Sequence, residues 1–399
     1  MGETPLERWT RYRAIVAKEA LPCALVDLDA LEANVRTLVA PLAGAGKTLR
    51  IATKSVRCPD LVTRIAAAAG DVVRGLMTYS AAETAFWAER GEKDLLLAYP
   101  VTRALDAQHV ARANAAGATA AVVVDSPEHL EVLAAAAREQ GARVPVVLEL
   151  DVAWRPVGTL LHVGVRRSPL RDASDVVALA RRAAATKGLS FHGIMAYEAQ
   201  IAGVPDTSPA VRAMKAASRR DVERVRGEIA NALQAAGLGP TVFNGGGTGS
   251  IASCARERAL TEVTAGSGFL DSHLFDAYRG LSLEPAAFFA VPVVRRPRAG
   301  IVTCHGGGFV ASGSAGPERL PVPALPPGLR LLPLEGAGEV QTPLELGPGV
   351  TLALGDPVFF RHAKAGELAE HFLEYLLVRG DRTEGRAPTY RGLGRCFLG

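Results

Sequence analysis

The segment TAAVVVDSPEHLEVLAAAAREQGARVPVVLELD, residues 119–151, holds two valine-rich runs with a helical stretch between them. The runs TAAVVVD and VPVVLELD are short and β-branched, which is typical of buried strands. Between them, Ser126 and Pro127 give a helix start and Gly141 gives a helix end. A strand, a helix and a second strand in this order predict a parallel βαβ unit.

The same alternation extends in both directions, from about residue 21 to residue 268. Segments rich in Ala, Leu and Arg, with helical spacing, separate nine strand candidates. Eight strands alternating with helices over about 220 residues predict a closed (β/α)8 barrel, with an open doubly wound sheet as the alternative. The strand candidates are 22–28, 49–54, 72–77, 94–99, 119–125, 144–151, 189–197, 240–246 and 260–266.

The pattern changes after about residue 285, where short strands rich in Pro and Gly replace the alternation. This profile predicts a separate all-β domain over residues 285–399. Residues 1–20 read as a charged helical extension, and residues 21–275 hold the barrel. We therefore predict an α/β protein, a TIM-like (β/α)8 barrel followed by a smaller C-terminal all-β domain.

The composition excludes several classes of protein. Of the 399 residues, 48% are hydrophobic and 22% charged, which predicts an ample core and argues against disorder. The 45 Lys and Arg against 41 Asp and Glu form no basic block of the kind that binds nucleic acid. The five cysteines contain no C-x-x-C pair, and no apolar run approaches the roughly 20 residues of a membrane span. We expect a cytoplasmic protein without nucleic-acid or membrane partners.

A lysine ends one of the predicted buried strands, because LRIATK finishes at Lys54. Burial disfavours a charged ammonium, so a lysine in this place needs a cavity or a partner. Taken alone, Lys54 is better interpreted as an ordinary surface lysine of a loop. Two turns rich in glycine and hydroxyl groups, at 244–250 and 266–268, end the last two strands. In a barrel such turns form a phosphate site; one alone is weak evidence, since tight turns use glycine anyway.

A phosphate site beside a strand-ending lysine indicates pyridoxal phosphate (PLP), which forms a Schiff base with a lysine. The segments PCALVDLDALEANV, IATKSVRCPDLV, LELDVAWRPVG, GIMAYE, FNGGGTGS and LTEVTAGSGFLD occur in the order found in the fold-type III PLP enzymes, the alanine racemase-like barrels. The chain resembles this family over about residues 20–375. Within it, the chain is most similar to the D-threonine aldolase and D-serine dehydratase branch and to bacterial proteins labelled amino acid deaminase/aldolase.

The resemblance assigns roles to individual residues. It implies that Lys54 is the Schiff-base lysine, that Tyr197 lies beside the pyridine ring and that Arg155 lies near the cofactor. It also implies that strand 22–28 joins the C-terminal domain, which leaves eight strands for the barrel, and that the protein is a homodimer. The residues implied to bind the phosphate are Asn244, Gly245, Gly246, Thr248, Gly266, Ser267 and Gly268.

The chain departs from its family at one point. The D-threonine aldolase and D-serine dehydratase branch carries a His-x-Cys or His-x-Asp metal pair in the β-domain. Here His362 is retained and Lys364 stands at the second position, where an ammonium cannot coordinate a cation. We therefore expect no divalent metal. As a hypothesis, Lys364 supplies the positive charge on the substrate β-hydroxyl and His362 accepts its proton. The alternative is that both make structural hydrogen bonds or contact a substrate carboxylate.

The resemblance implies a PLP-dependent lyase that cleaves a β-hydroxy amino acid of D configuration to glycine and an aldehyde. The same lysine and phosphate site serve dehydration to a keto acid and ammonia, as well as racemisation, so the residues leave these reactions open. Racemisation ranks last, because the Gly-x-Gly-Val-Ser-Tyr-Gly motif of the racemases does not occur here. The non-enzymatic alternatives are a PLP carrier and a sugar- or nucleotide-phosphate-binding barrel in which Lys54 has no role.

Overall fold

The computed structural model describes residues 3–158 and 160–398, which form a closed barrel and a second, nine-stranded sheet. The strands are β1 (Cys23–Asp27), β2 (Thr48–Ala52), β3 (Val73–Thr78), β4 (Asp94–Leu97), β5 (Thr119–Val124), β6 (Val144–Glu149), β7 (Leu189–Met195), β8 (Val242–Gly245), β9 (Glu262–Ala265), β10 (Ala287–Arg298), β11 (Ile301–His305), β12 (Val322–Leu325), β13 (Leu329–Leu331), β14 (Gln341–Leu346), β15 (Pro357–Arg361), β16 (Glu374–Arg379) and β17 (Arg382–Pro388). The α-helices are α1 (Pro5–Val16), α2 (Leu28–Val39), α3 (Pro59–Ala69), α4 (Ala81–Glu89), α5 (Ala104–Ala115), α6 (Pro127–Gln140), α7 (Ala173–Ala185), α8 (Ala199–Ala202), α9 (Pro209–Ala235), α10 (Ile251–Cys254) and α11 (Ala365–Leu368).

Strands β2 to β9 form the barrel, and each pairs in parallel with the next. The last strand returns to the first: Thr48 lies opposite Glu262, and Ile51 lies opposite Ala265. An open doubly wound sheet would have two free edges here. The predicted (β/α)8 barrel is therefore confirmed.

The helices cover the barrel with one apolar face each, as α6 illustrates. It begins at Pro127 and is followed by Gly141 in the left-handed conformation, with φ 62°. Spacings of three and four residues place its buried side chains on one face. These side chains include Leu130, Leu133, Ala134 and Ala137. No helix of the described residues is both long and apolar enough to cross a membrane.

Strand β1 belongs to the second sheet although it precedes the barrel in the chain. It pairs antiparallel with β10 and parallel with β16, in the strand order β13-β14-β11-β10-β1-β16-β17. Strand β15 pairs with β10 and β12. The strand predicted at 22–28 therefore lies in the sheet of the C-terminal domain. The domain boundaries given above stay predictions.

The C-terminal domain reaches the carboxyl end of the barrel at helix α11. A Cβ atom at Gly366 of this helix would overlap the carbonyl oxygen of Lys54 and lie 3.0 Å from Arg57 Nε. Glycine is what lets the helix backbone come this close to the turn after β2. Arg57 Nη1 also donates to Glu370 at 2.6 Å, just beyond α11. The two domains are thus in contact at Lys54.

Candidate active site

Lys54 lies at the carboxyl end of β2, in a single 3-10 turn over Thr53–Ser55. Its two neighbours in the turn are buried, while the lysine side chain is exposed. Its Nζ atom lies 3.4 Å from the hydroxyl of Tyr99, which follows β4. Thr53 Oγ1 fixes the turn by donating to the Met77 carbonyl at 2.9 Å. The amine thus stands on a fixed turn at the face where barrel enzymes carry their active sites.

Two glycine-rich turns follow β8 and β9, and we call them the first and the second. The second contacts the turn Thr53–Ser55, which we call the lysine turn, and the first contacts the second. The hydroxyls of Ser267 and Ser55 lie 3.1 Å apart, and the Gly268 N–H donates to Thr248 Oγ1 at 3.0 Å. A Cβ at Gly266 would lie 2.8 Å from Ser55 Oγ, and one at Gly268 would lie 2.5 Å from Thr248 Cγ2. The three turns therefore meet at one point, and the close approach requires glycine.

Three further predicted phosphate ligands also contact other protein groups, as Ser267, Gly268 and Thr248 do. The Asn244 side-chain amide donates to Glu262 at 2.7 Å, inside the barrel. The Gly246 N–H donates to the Glu198 carboxylate at 3.1 Å. Gly245 is the last residue of β8 and belongs to the sheet. The assignment of these three residues to a phosphate stays a prediction, and the Asn244 and Gly246 donors are already engaged.

Tyr197 and Arg155 occupy different surroundings. A Cβ at Gly247 would lie 3.2 Å from Tyr197 Cε2, so the ring packs on the first glycine-rich turn. The Arg167 guanidinium lies 5.7 Å from the centre of the same ring. Burial raises the pKa of Tyr197 to about 12, which keeps the phenol protonated at neutral pH. Arg155 forms an ion pair with Asp151, four residues earlier, so its charge is compensated there.

A buried network of charged side chains contacts the first glycine-rich turn. Glu198, the residue after the tyrosine, accepts from the Gly246 N–H and from the Ser250 hydroxyl. It also pairs with Arg226 of α9, whose other nitrogen lies 2.7 Å from Glu257. Burial alone would raise the pKa of Glu198, but Arg226 holds that pKa below its usual range. The network therefore links α9 to the turn through ionised groups.

His362 and Lys364 follow β15. His362 is 4% exposed, and neither ring nitrogen has a hydrogen-bond partner among residues 3–158 and 160–398. Burial and the adjacent Arg361 lower the pKa of His362 to about 3, so the imidazole is neutral. Lys364 Nζ lies 2.8 Å from Ser312 Oγ. Burial lowers the pKa of Lys364, and Lys54 is among the cations that lower it further.

Glu149 ends β6, and its side chain faces a cleft beside the barrel mouth. The cleft is also lined by Tyr197, Arg167 and Gln200. Glu149 is 6% exposed, and burial raises the pKa of its carboxyl to about 7. A carboxyl with this pKa can gain or lose a proton near neutral pH.

Comparison with known protein families shows which family the chain belongs to. A family model described as alanine racemase, N-terminal domain, matches residues 26–270, more than half of the chain. The chain belongs to this family. The resemblance predicted from the ordered motifs, to the fold-type III PLP enzymes, is thereby confirmed.

Several members of the alanine racemase-like group are similar to this chain. A 3-hydroxy-D-aspartate aldolase of Paracoccus denitrificans (strain Pd 1222) is 30% identical over 252 residues, which cover 63% of this chain and 60% of that protein. A D-threonine aldolase of Arthrobacter sp. is 27% identical over 312 residues, 76% of each chain. The structure of D-threonine aldolase from Filomicrobium marinum matches with a TM-score of 0.82 at 23% identity, over 94% of this chain and 96% of that one. This structural match shows the shared fold.

The residues of this family member fit the cofactor that the family implies. A PLP molecule needs an amine for its aldehyde and close backbone for its phosphate. Lys54 supplies the amine. Gly266 and Gly268 let the backbone of the second glycine-rich turn lie directly against Ser55 and Thr248, where a Cβ atom would clash. These residues would hold PLP at the carboxyl end of the barrel.

Two features of the site went unnoticed in the sequence. Glu149 carries the same signal as Lys54, a charged residue that ends an apolar strand, and could have been found on that ground. Glu198 is buried against Arg226, which lies 28 positions further along the chain. Nothing in local sequence pattern joins two residues so far apart, so only the fold reveals this pair.

Proposed function

We propose that this protein is a PLP-dependent lyase that cleaves a β-hydroxy amino acid of D configuration into glycine and an aldehyde. The observation that supports it most is the contact between the turns: the lysine turn contacts the second glycine-rich turn through Ser55 and Ser267, and the second turn contacts the first through Gly268 and Thr248. Relatives named 3-hydroxy-D-aspartate aldolase and D-threonine aldolase support the reaction class. The amino acid substrate follows from the same relatives.

The protein's contribution is to hold and orient the reactants. When bound, PLP accepts the electrons of a bond broken at the substrate α-carbon. Lys54 provides the amine that joins the cofactor to the protein. Thr248, Gly266 and Ser267 would hold its phosphate, and Tyr197 lies against the first glycine-rich turn as a neutral phenol. Helix α11 packs on the lysine turn and limits the entry of water from that side.

We propose that His362 and Lys364 take part in removing the proton of the substrate β-hydroxyl. The ring nitrogens of the neutral His362 imidazole have no hydrogen-bond partner among the described residues, so one of them can accept a hydrogen bond from the β-hydroxyl. The low pKa of His362, about 3, means that it holds the transferred proton only weakly. The Lys364 ammonium places positive charge where the oxygen gains electrons. A divalent metal does not fit this donor set, because the second position carries an amine, protonated in this role, in place of a thiolate or carboxylate. No step is therefore assigned to a metal.

Metal removal tests this assignment. We expect a chelator to leave the rate of aldehyde release unchanged, because no metal takes part. Lys364→Met should lower kcat/KM about 10²-fold through loss of the positive charge, while the absorbance of the bound cofactor is retained. Lys187→Met is the matched control, since Lys187 is exposed just before β7, at the opposite end of the barrel. One tightly bound divalent ion per chain, with activity lost on chelation, would contradict the assignment.

A dehydratase is the second candidate function. A D-threo-3-hydroxyaspartate dehydratase of Delftia sp. (strain HT23) is 28% identical over 249 residues, 61% of this chain and 60% of that protein. The products separate the candidates when the PLP-loaded protein meets D-threonine, L-threonine, D-serine and D-3-hydroxyaspartate. Glycine with an aldehyde supports the aldolase, and a keto acid with ammonia supports the dehydratase. A mixture of enantiomers would support a racemase.

The C-terminal domain argues against a non-catalytic PLP carrier. Gly366 of α11 lies directly on the Lys54 carbonyl, and Lys364 lies two residues before it. A carrier that only stores the cofactor gains nothing from a second domain at the reactive lysine. The contact supports a site that closes over a substrate.

The glycines of the second turn give a prediction about cofactor affinity. Gly268→Ala should weaken PLP binding at least about tenfold, because its Cβ would lie 2.5 Å from Thr248 Cγ2 and 3.0 Å from Leu38 Cδ1. Gly227→Ala is the matched control: Gly227 lies within α9, and nothing lies within 4 Å of its ideal Cβ. Titration of the cofactor-free proteins with PLP, followed by absorbance, measures both. Equal affinity of the two variants for PLP would argue against a phosphate site at the second glycine-rich turn.

We also propose that the protein is a homodimer, on the family resemblance alone, and that it is cytoplasmic, on its odd number of widely spaced cysteines. Light scattering of the purified protein tests the dimer. A monomer with full activity would contradict it.

A further inference from the structure

Glu149 is a mostly buried residue whose carboxylate receives no hydrogen bond from residues 3–158 and 160–398 and keeps some contact with solvent. Glu149 is the last residue of β6 and pairs with Met195 at the end of β7, so it stands at the catalytic end of the barrel. Only its backbone carbonyl accepts a hydrogen bond within the described chain, from the Ser168 hydroxyl at 2.6 Å. A carboxyl in a mostly buried residue, with no protein partner and an opening to a cleft, is costly to ionise, and such groups are found preferentially at sites that act on a ligand.

Charged groups surround Glu149 from several elements. Lys54 of the lysine turn and Arg167 of the long loop after β6 favour its ionised form, and Asp125 at the end of β5 opposes it. Asp125 is itself engaged, since its carboxylate lies 3.1 Å from His129 Nδ1 of α6. The Tyr197 phenol faces the same cleft in its neutral form. Asp151 lines the same cleft, but its carboxylate pairs with Arg155 and accepts from the Ala153 N–H. Of the two acids that line the cleft, Glu149 is thus the one free to exchange a proton with a ligand near Lys54.

The reaction needs a proton acceptor when the substrate binds. An amino acid arrives as an ammonium ion, and it must lose one proton before its nitrogen can replace the Lys54 nitrogen on the cofactor. We propose that the Glu149 carboxylate accepts this proton and returns it when the product leaves. An N–H bond of the substrate breaks and an O–H bond of Glu149 forms, with no change of oxidation state. This proposal rests on PLP binding at Lys54, and it does not depend on whether the protein is an aldolase or a dehydratase.

Thermal unfolding of the cofactor-free protein tests the state of Glu149 without any reaction. The raised pKa, about 7, means that the folded protein binds a proton more tightly than the unfolded chain does. Its stabilising contribution is complete below about pH 4.5 and is lost as the pH rises through about 7. Glu149→Gln should therefore unfold at the wild-type temperature near pH 5 and become progressively more stable than wild type towards pH 8. A difference that does not change with pH would overturn the proposal.

The rate of reaction with glycine tests the proton transfer itself. In the PLP-loaded protein, Glu149→Gln should slow the absorbance change on mixing with glycine about 10²-fold to 10³-fold at pH 7. The deficit should shrink as the pH rises, because more glycine then arrives already deprotonated. Asp125→Asn is the matched control, since it removes the neighbouring acid that His129 engages, and it should stay within about threefold of wild type.

Glycine needs no cleavage, so this rate is measured whatever lyase activity is found. A wild-type rate in Glu149→Gln would overturn the proposal. So would a deficit that stays constant with pH, or a Glu149→Gln protein that no longer binds PLP, because Glu149 would then position the cofactor. Failure of the proposed lyase function would appear separately, as absence of aldehyde and keto acid in the wild type.

Discussion

Lys54→Ala is expected to lose the absorbance near about 420 nm that PLP gives in a Schiff base, and to lower lyase activity at least about 10⁴-fold. The covalent link and the displacement by substrate both depend on this one amine. The fold should survive, because the exposed Lys54 side chain makes one hydrogen bond, to Tyr99. Circular dichroism and the unfolding temperature should therefore match the wild type.

Lys47→Ala is the matched control for this variant. Lys47 lies at the start of β2, and its ammonium donates to the carbonyls of Glu257 and Leu260 at 2.5 and 2.6 Å. It is thus a structural lysine at the opposite end of the same strand. Its removal should reduce stability and leave the absorbance in place. An unchanged absorbance in Lys54→Ala would remove PLP chemistry at Lys54 from consideration.

The barrel could be predicted from sequence because its signals are local. Each βαβ unit carries an apolar run, a helix of regular spacing and a glycine or proline at the boundary. The predicted strand 72–77 corresponds to Val73–Thr78, and 22–28 corresponds to Cys23–Asp27. Once the strands are in order, barrel geometry brings their carboxyl ends to one face. This is why the turns that hold Ser55, Thr248 and Ser267 contact one another although they are far apart in the chain.

The remaining details depend on tertiary contacts that a sequence pattern does not contain. Asn244 stands in a glycine-rich motif, yet its side chain points into the barrel and bonds Glu262. Successive side chains of a strand point to opposite faces, so a one-residue uncertainty in strand position reverses the direction. Arg155 likewise bonds Asp151 in its own loop, where the loop conformation decides its direction.

Glu198→Ala is expected to lower the free energy of unfolding of the cofactor-free protein by about 3 to 5 kcal/mol. Arg226 is fully buried, and removal of Glu198 leaves its charge with Glu257 as the remaining carboxylate partner. The Gly246 N–H and the Ser250 hydroxyl lose the same acceptor. Urea unfolding measures the change. PLP affinity should fall as well, because these two donors belong to the first glycine-rich turn.

Two further variants show whether burial of the pair is the cause. Glu228→Ala removes the partner of Arg224 in an ion pair whose side chains are 55% and 57% exposed. The free energy of unfolding should therefore change by less than about 1 kcal/mol. Replacing Glu198, Arg226 and Glu257 together, by alanine, methionine and glutamine, should recover part of the stability because no unpaired charge is left buried. If Glu198→Ala and Glu228→Ala lower the free energy of unfolding by the same amount, the buried network does not stabilise the first glycine-rich turn. The inferred connection between α9 and the phosphate site would then be wrong.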